Sequence, residues 1–182
     1  MAITLDGTAG INTSSSLTTG TGAIYNGIQS GTAVASTSGT SIDFTSIPAW
    51  VKRITVMLNG VSTNGTSNLL VQLGDSGGVE NTGYVGAGSV ISTSVTSSSY
   101  TTGFGIRSHD QSTFVTSGAF ILTNVSGNIW IAFGTFANPT TSIVTGTSGG
   151  TKTLSDVLDR VRMTTVNGTD TFDAGSINIL YE

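Results

Sequence analysis

The sequence predicts an all-β protein, an antiparallel β-sandwich of jelly-roll-like type preceded by an extended N-terminal arm. Three observations predict it. Thr, Ser and Gly number 32, 25 and 25 and fill 82 of 182 positions, a composition of strands and turns. Charged residues make up only 9%, against about a quarter in an average soluble domain, and the helix formers Glu and Lys are scarce. Short apolar–polar alternations recur between Gly, Ser and Asn punctuation, giving about nine or ten short strands, as a sandwich or jelly roll requires.

Residues 1–30, MAITLDGTAGINTSSSLTTGTGAIYNGIQS, stand apart as the arm. Ile3 and Leu5 alternate briefly, and Ile11 and Tyr25 are further anchors in a Ser/Thr/Gly run. Alone, such a segment buries too little surface to offset its ordering entropy. It is either a flexible leader or an arm that orders against a partner, with Ile3, Leu5, Ile11 and Tyr25 as its candidate attachment residues. Residues 31–182 form the sandwich domain.

TAVAS (32–36) and TSIDFTS (40–46) alternate as strands. Pro48 then marks a turn and holds Ile47 extended. In IPAWVKRITVML (47–58) a strand begins near Val51, with Ile54, Val56 and Leu58 on one face and Arg53, Thr55 and Met57 on the other. Asn59-Gly60 and Asn64-Gly65 tolerate positive φ and close that strand. SNLLVQLG (67–74) is then expected to pair antiparallel with it, and DSGG (75–78) turns the chain again. Residues 80–99 read as a long loop with one short strand.

YTTGFGIRS (100–108), GAFILT (118–123), NIWIAFGTF (128–136) and SIVTGTS (142–148) continue the rhythm. In the third, Ile129, Ile131 and Phe133 are expected to form the core face, leaving Trp130 towards a neighbouring subunit or solvent. Leu154, Val157, Leu158 and Val161 have helical spacing, but Arg160 to Thr164 alternates cleanly, so a strand from about Leu158 is preferred, after a short turn. The final segments, VLDRVRMTTV and GSINILYE, flank Asn167-Gly168.

Few groups are available for catalysis. The single histidine, His109, neighbours Asp110, but adjacent residues on a strand point to opposite faces. A Ser-His-Asp set drawn in so Ser-rich a chain means little, and no G-x-S-x-G elbow is present. Asp75, Glu80, Asp110, Asp170 and Asp173 all border Gly/Ser/Thr turns, where carboxylates bond to nearby amides. Asp170 and Asp173 lack the EF-hand spacing for Ca²⁺, and turn chemistry is the preferred reading. No enzyme activity, cofactor or metal site is expected.

The net charge of −4, with no basic residue before Lys52, offers no phosphate-neutralising stripe and no signal-peptide n-region there. The apolar runs are too short to span a bilayer as helices. Neither nucleic acid nor membrane is an expected partner. With no cysteine there is no disulfide and no thiol chemistry. A surface so poor in charge protects its strand edges weakly, which predicts a homo-oligomer.

Tyr84, Tyr100, His109 and Trp130 are the candidate surface-binding residues, because aromatic rings stack on sugars and fill interface hot spots. The plainer alternative is that each ring covers the core edge. Trp50 is expected to close one end of the sandwich. Lys52 and Arg53 point to opposite faces, one of them reaching over the Trp50 ring or to an acidic residue nearby. IPAWVKRITVML therefore reads as scaffold.

Residues 47–77, IPAWVKRITVMLNGVSTNGTSNLLVQLGDSG, and 158–182, LDRVRMTTVNGTDTFDAGSINILYE, resemble a module of bacteriophage and prophage tail-fibre-type virion proteins. AITLDGTAGI is similar to the N-terminal start of many phage fibre proteins. The resemblance omits residues 79–111 and brings no catalytic motif. It implies a virion surface protein made in the bacterial host cytoplasm, oligomeric (a homotrimer), bound through its N-terminal segment to other virion proteins. A short tail appendage would touch a host surface glycan. A capsid decoration protein, the alternative left open by the lack of a shaft, would use its arm on the head.

Overall fold

A computed structural model describes residues 27–107, 110–139 and 144–182, and the backbone of two short strands before them. Those two, β1 (Leu17–Thr18) and β2 (Ile24–Tyr25), pair with each other. Next come β3 (Gln29–Ser30), β4 (Val34–Ala35), β5 (Ile42–Phe44), β6 (Arg53–Thr63), β7 (Leu69–Asp75) and β8 (Gly78–Val79). The middle holds β9 (Tyr84–Ile91), β10 (Val95–Tyr100), β11 (Phe104–Ile106), β12 (Thr116–Ser126) and β13 (Ile129–Asn138). The chain closes with β14 (Val144–Thr153), β15 (Arg160–Thr165) and β16 (Phe172–Tyr181).

Two antiparallel sheets pack as a sandwich. The nine-stranded sheet runs β10-β9-β14-β13-β12-β6-β16-β3, with β4 also on β16, and the five-stranded sheet runs β11-β7-β15-β5, with β8 on β7. The chain passes repeatedly between them: β5, β7, β11 and β15 lie in the small sheet, and β6, β9–β10, β12–β14 and β16 in the large one. Residues 67–74 therefore do not pair with the strand before them. β7 pairs with β11 and β15 instead.

The reason lies at Asn59-Gly60, which is not a turn. β6 continues through it to Thr63, and Gly60 (φ 64°) sits opposite Gly175 (φ 94°) of β16, where the register shifts. A Cβ at Gly175 would press into the Gly60 carbonyl, so the backbones approach only because Gly175 carries no side chain, while Gly60 supplies the left-handed φ of the bulge. The bulge lets β6 run on to a turn at Asn64-Gly65, beyond which β7 begins in the opposite sheet.

Residues 80–99 also differ from expectation: they form two full strands in a hairpin, β9 and β10. Gly and Ser hide the alternation there, and the long register of β9 on β14, from Thr145↔Ile91 to Lys152↔Tyr84, defines the strand instead.

The quoted strand behaves as scaffold. Ile54, Val56 and Leu58 are buried, and Arg53 bonds to Glu182 at 3.1 Å. Lys52 donates to Asn124 at 3.4 Å, and the Trp50 ring lies 6.0 Å from that of Tyr181. Leu154 and Leu158 are buried on either side of a bend at Ser155-Asp156 rather than in a helical turn, and the strand starts at Arg160. Between the sheets, Tyr84, Phe104, Phe120 and Phe136 form a chain of rings at successive centroid spacings of 5.0, 5.8 and 5.8 Å.

The expected core face of β13 is reversed. Trp130, Ala132 and Phe136 are buried, whereas Ile129, Ile131 and Phe133 are 38%, 40% and 53% exposed. Gly134 explains the choice: a Cβ there would stand 2.5 Å from the Phe120 ring, so that ring fits only over a bare backbone. The Trp130–Ala132–Gly134–Phe136 face interlocks with its neighbours; the more aliphatic face does not.

Candidate functional site

The four candidate surface residues are not brought together. Tyr84, Tyr100 and Trp130 are buried, 2%, 6% and 3% exposed, so they are core residues rather than surface ones. The cause is register: each sits at an inward position of its strand. His109 lies outside the described residues, as do Ile3, Leu5 and Ile11 and the side chain of Tyr25.

Tyr84 instead anchors a polar cluster between the sheets. Its hydroxyl accepts from the Leu73 amide at 2.7 Å and donates to the Glu80 carbonyl at 3.0 Å. Burial pushes its pKa up. Lys152 of β14, itself buried, pairs with the Glu80 carboxylate, its ammonium 5.3 Å from the Tyr84 ring centroid. Ser155 joins the small sheet to this pair: its hydroxyl lies 2.6 Å from Asp75 and 2.8 Å from Glu80, and its amide donates to Glu80 at 2.7 Å.

The cluster ties a serine, a lysine and two carboxylates into a clamp across the sheets. The Ser155 hydroxyl and the Gly77 amide hold Asp75 below its ordinary pKa. Burial alone would raise Glu80, but the hydrogen bonds from Lys152 and Ser155 outweigh it and hold it low. Both carboxylates are thus held in their charged form, in which they accept from the Ser155 hydroxyl and pair with the Lys152 ammonium. Asp170 likewise does turn chemistry, accepting from the Ser67 amide at 2.9 Å and the Asn167 side chain at 2.6 Å. Asp173 accepts from the Ser62 hydroxyl. Among the described residues no group of three or more His, Cys, Asp or Glu is placed to hold a metal ion.

A cavity of about 670 Å³ opens at the loop end of the sandwich and is the best candidate site. Its apolar floor is Val90, Phe114 and Val144, a satellite core beside the main one. Around it stand Ser92, Thr93 and Thr96 from the β9–β10 hairpin, with Arg107, Asp110 and Gln111 from the segment after β11. Arg107 and Asp110 form an ion pair at 2.7 Å and are both partly exposed. Hydroxyls, an amide, a guanidinium and a carboxylate thus converge over hydrocarbon, which suits a neutral polyhydroxyl ligand. The sequence singled out Asp110 but missed Arg107 and Gln111. The available signal was an acid–base pair three residues apart in a chain almost without charge.

Five of the six basic residues are ion-paired, to Glu182, Asp110, Glu80, Asp159 and Asp43. Little positive field remains for a polyanion. Compared with known proteins, the chain matches no protein-family profile, no curated protein and no solved structure.

Proposed function

We propose that this protein is a non-enzymatic structural subunit of a bacteriophage virion surface, a short tail-fibre or tail-appendage component that contributes to host attachment. The cavity at the loop end carries this reading. Its volume of about 670 Å³ lies within the range of small-molecule sites, roughly 300–1,000 Å³. Its polar groups offer both donors and acceptors to vicinal hydroxyls of a host surface glycan, and its floor takes the apolar face of a sugar ring. The resemblance of residues 47–77 and 158–182 to tail-fibre-type modules supplies the biological setting.

A second reading, a capsid decoration protein, is favoured by one placement. β3 lies at the edge of the nine-stranded sheet, on the C-terminal half of β16. The chain before Gly27 therefore joins the body at a sheet edge, well sited to reach a neighbouring protein.

The test is a cryo-EM reconstruction of particles that carry the chain. Density on the tail is expected, together with binding of the purified protein to susceptible cells that Asp110→Ala and Gln111→Ala abolish while the fold persists. Density at head symmetry axes would replace the appendage by the decoration reading. Absence from purified particles would overturn both.

A further inference from the structure

The outer face of the nine-stranded sheet is almost free of charge and carries an apolar patch on β13, β12 and β6, bordered by the outward Thr145, Thr147, Thr151 and Thr153 of β14. Ile129, Ile131 and Phe133 of β13 point outward, flanked by Ile121 of β12, which pairs with Phe133, and Met57 of β6. On the far side, Val85 of β9 is 71% exposed. Across β6, β12, β13, β14 and β9, Arg53 is the single charged residue at an outward position, and it is already paired with Glu182. Isolated exposed apolar residues are ordinary, but a contiguous patch marks an interaction surface.

The face also has relief. Phe133 and Ile131 stand up as a ridge. Phe133 is the direct cross-strand partner of Gly149, and Gly149 of Ala87. Beyond the ridge, Ala87, Ser89, Ser97, Thr147 and Gly149 line a shallow hollow of about 330 Å³. Ridge and hollow lie side by side on one surface, about 10 Å apart at the usual strand spacing. That is the geometry of a self-complementary contact, in which each copy's ridge meets the other's hollow.

We infer that this face is the interface with a second copy of the chain, packed sheet to sheet about a two-fold axis between ridge and hollow. The area suffices. Ten residues of β13 at about 3.4 Å each, by five strands at about 4.8 Å, give roughly 800 Å², about what each partner contributes to a standard stable interface. Charge favours a second copy too: the face brings no unpaired charge to desolvate, whereas an acidic or basic partner would have to bury its own. The inference is independent of the virion reading; it makes the basic unit an isologous dimer, where the tail-fibre resemblance implies a trimer.

The test is sedimentation velocity of the full chain from low to high micromolar concentration. A dimer is expected, with Phe133→Asp and Ala87→Arg each weakening it about 30-fold or more, as loss of an interface hot spot does. Both positions are exposed, and a native circular-dichroism spectrum with a cooperative unfolding transition identifies a folded variant, its Tm lowered only by the lost association. Mixing the two variants is expected to restore dimers, since one ridge–hollow contact stays native and the other becomes an ion pair. A trimer, a monomer at about 100 µM, weaker than interfaces of this area reach, or a dimer indifferent to both substitutions would overturn the inference. So would a mixture that stays monomeric.

Discussion

Lys152→Met should be tolerated better than loss of its partner Glu80, because the two ends of the pair differ in access to water. The Lys152 side chain is 5% exposed and that of Glu80 20%. Removing one member of a buried pair costs about 3–5 kcal/mol, most of it the unpaired charge left behind. In Lys152→Met that charge is the Glu80 carboxylate, which keeps the Ser155 amide and hydroxyl and some water, so about 2–3 kcal/mol is expected. In Glu80→Ala the ammonium is left in the core beside the Tyr84 ring, its carboxylate partner gone, and the full range, about 3–5 kcal/mol, applies. The double variant should cost well under the sum, by about 2 kcal/mol of coupling. Urea unfolding followed by the fluorescence of buried Trp130 measures all four corners of the cycle. In heat the Lys152→Met loss should lower Tm by roughly 5–10 °C for a domain of this size. Single losses under about 0.5 kcal/mol, or strict additivity, would refute the clamp.

Phe120→Ala should cost about 3–5 kcal/mol, because the ring is fully buried between Phe104 and Phe136 and the site cannot collapse; a loss under about 1 kcal/mol by urea unfolding would deny the ring chain its role. Gly175→Ala should leave little soluble folded protein, since it combines a left-handed φ of 94° with collision against Gly60; a variant melting like wild type would contradict the bulge. Asp75 and Glu80 are held below their ordinary pKa values in the folded state. Their contribution to stability is therefore complete above the unfolded values of about 4 and is lost as pH falls through the lower folded ones. Unfolding free energy measured from neutral pH into this acid range should fall more steeply in wild type than in Glu80→Ala. Equal slopes would count against the clamp's carboxylates.

Much of the fold was legible because alternation is a local property. Ile54, Val56 and Leu58 share a face whichever sheet they join, and the turn residues around Asn64 and Asn167 mark ends that the chain observes. The candidate site was less legible. Tyr84, Tyr100 and Trp130 read from sequence as candidate surface residues, with cover of the core edge as the plainer alternative; all three point inward, and Tyr84 spends its hydroxyl on backbone groups of Leu73 and Glu80. Arg107, Gln111 and the β9–β10 hairpin meet at the cavity only because β9 and β11 lie in opposite sheets near one end of the sandwich.

By itself the sequence determined an all-β chain, many of its strands outside residues 80–99, and which side chains travel together along each strand. Tertiary structure decided which of two faces is inside. A strand has period two, so its pattern names two faces and cannot orient them when both are apolar, as in β13. There the choice fell to packing: Gly134 admits the Phe120 ring, and Ala132 and Gly134 leave room where Ile131 and Phe133 would not. The same asymmetry separates hairpins from crossings, since a bulge at Gly60 and Gly175 carries β6 past its apparent turn and sends β7 to the other sheet.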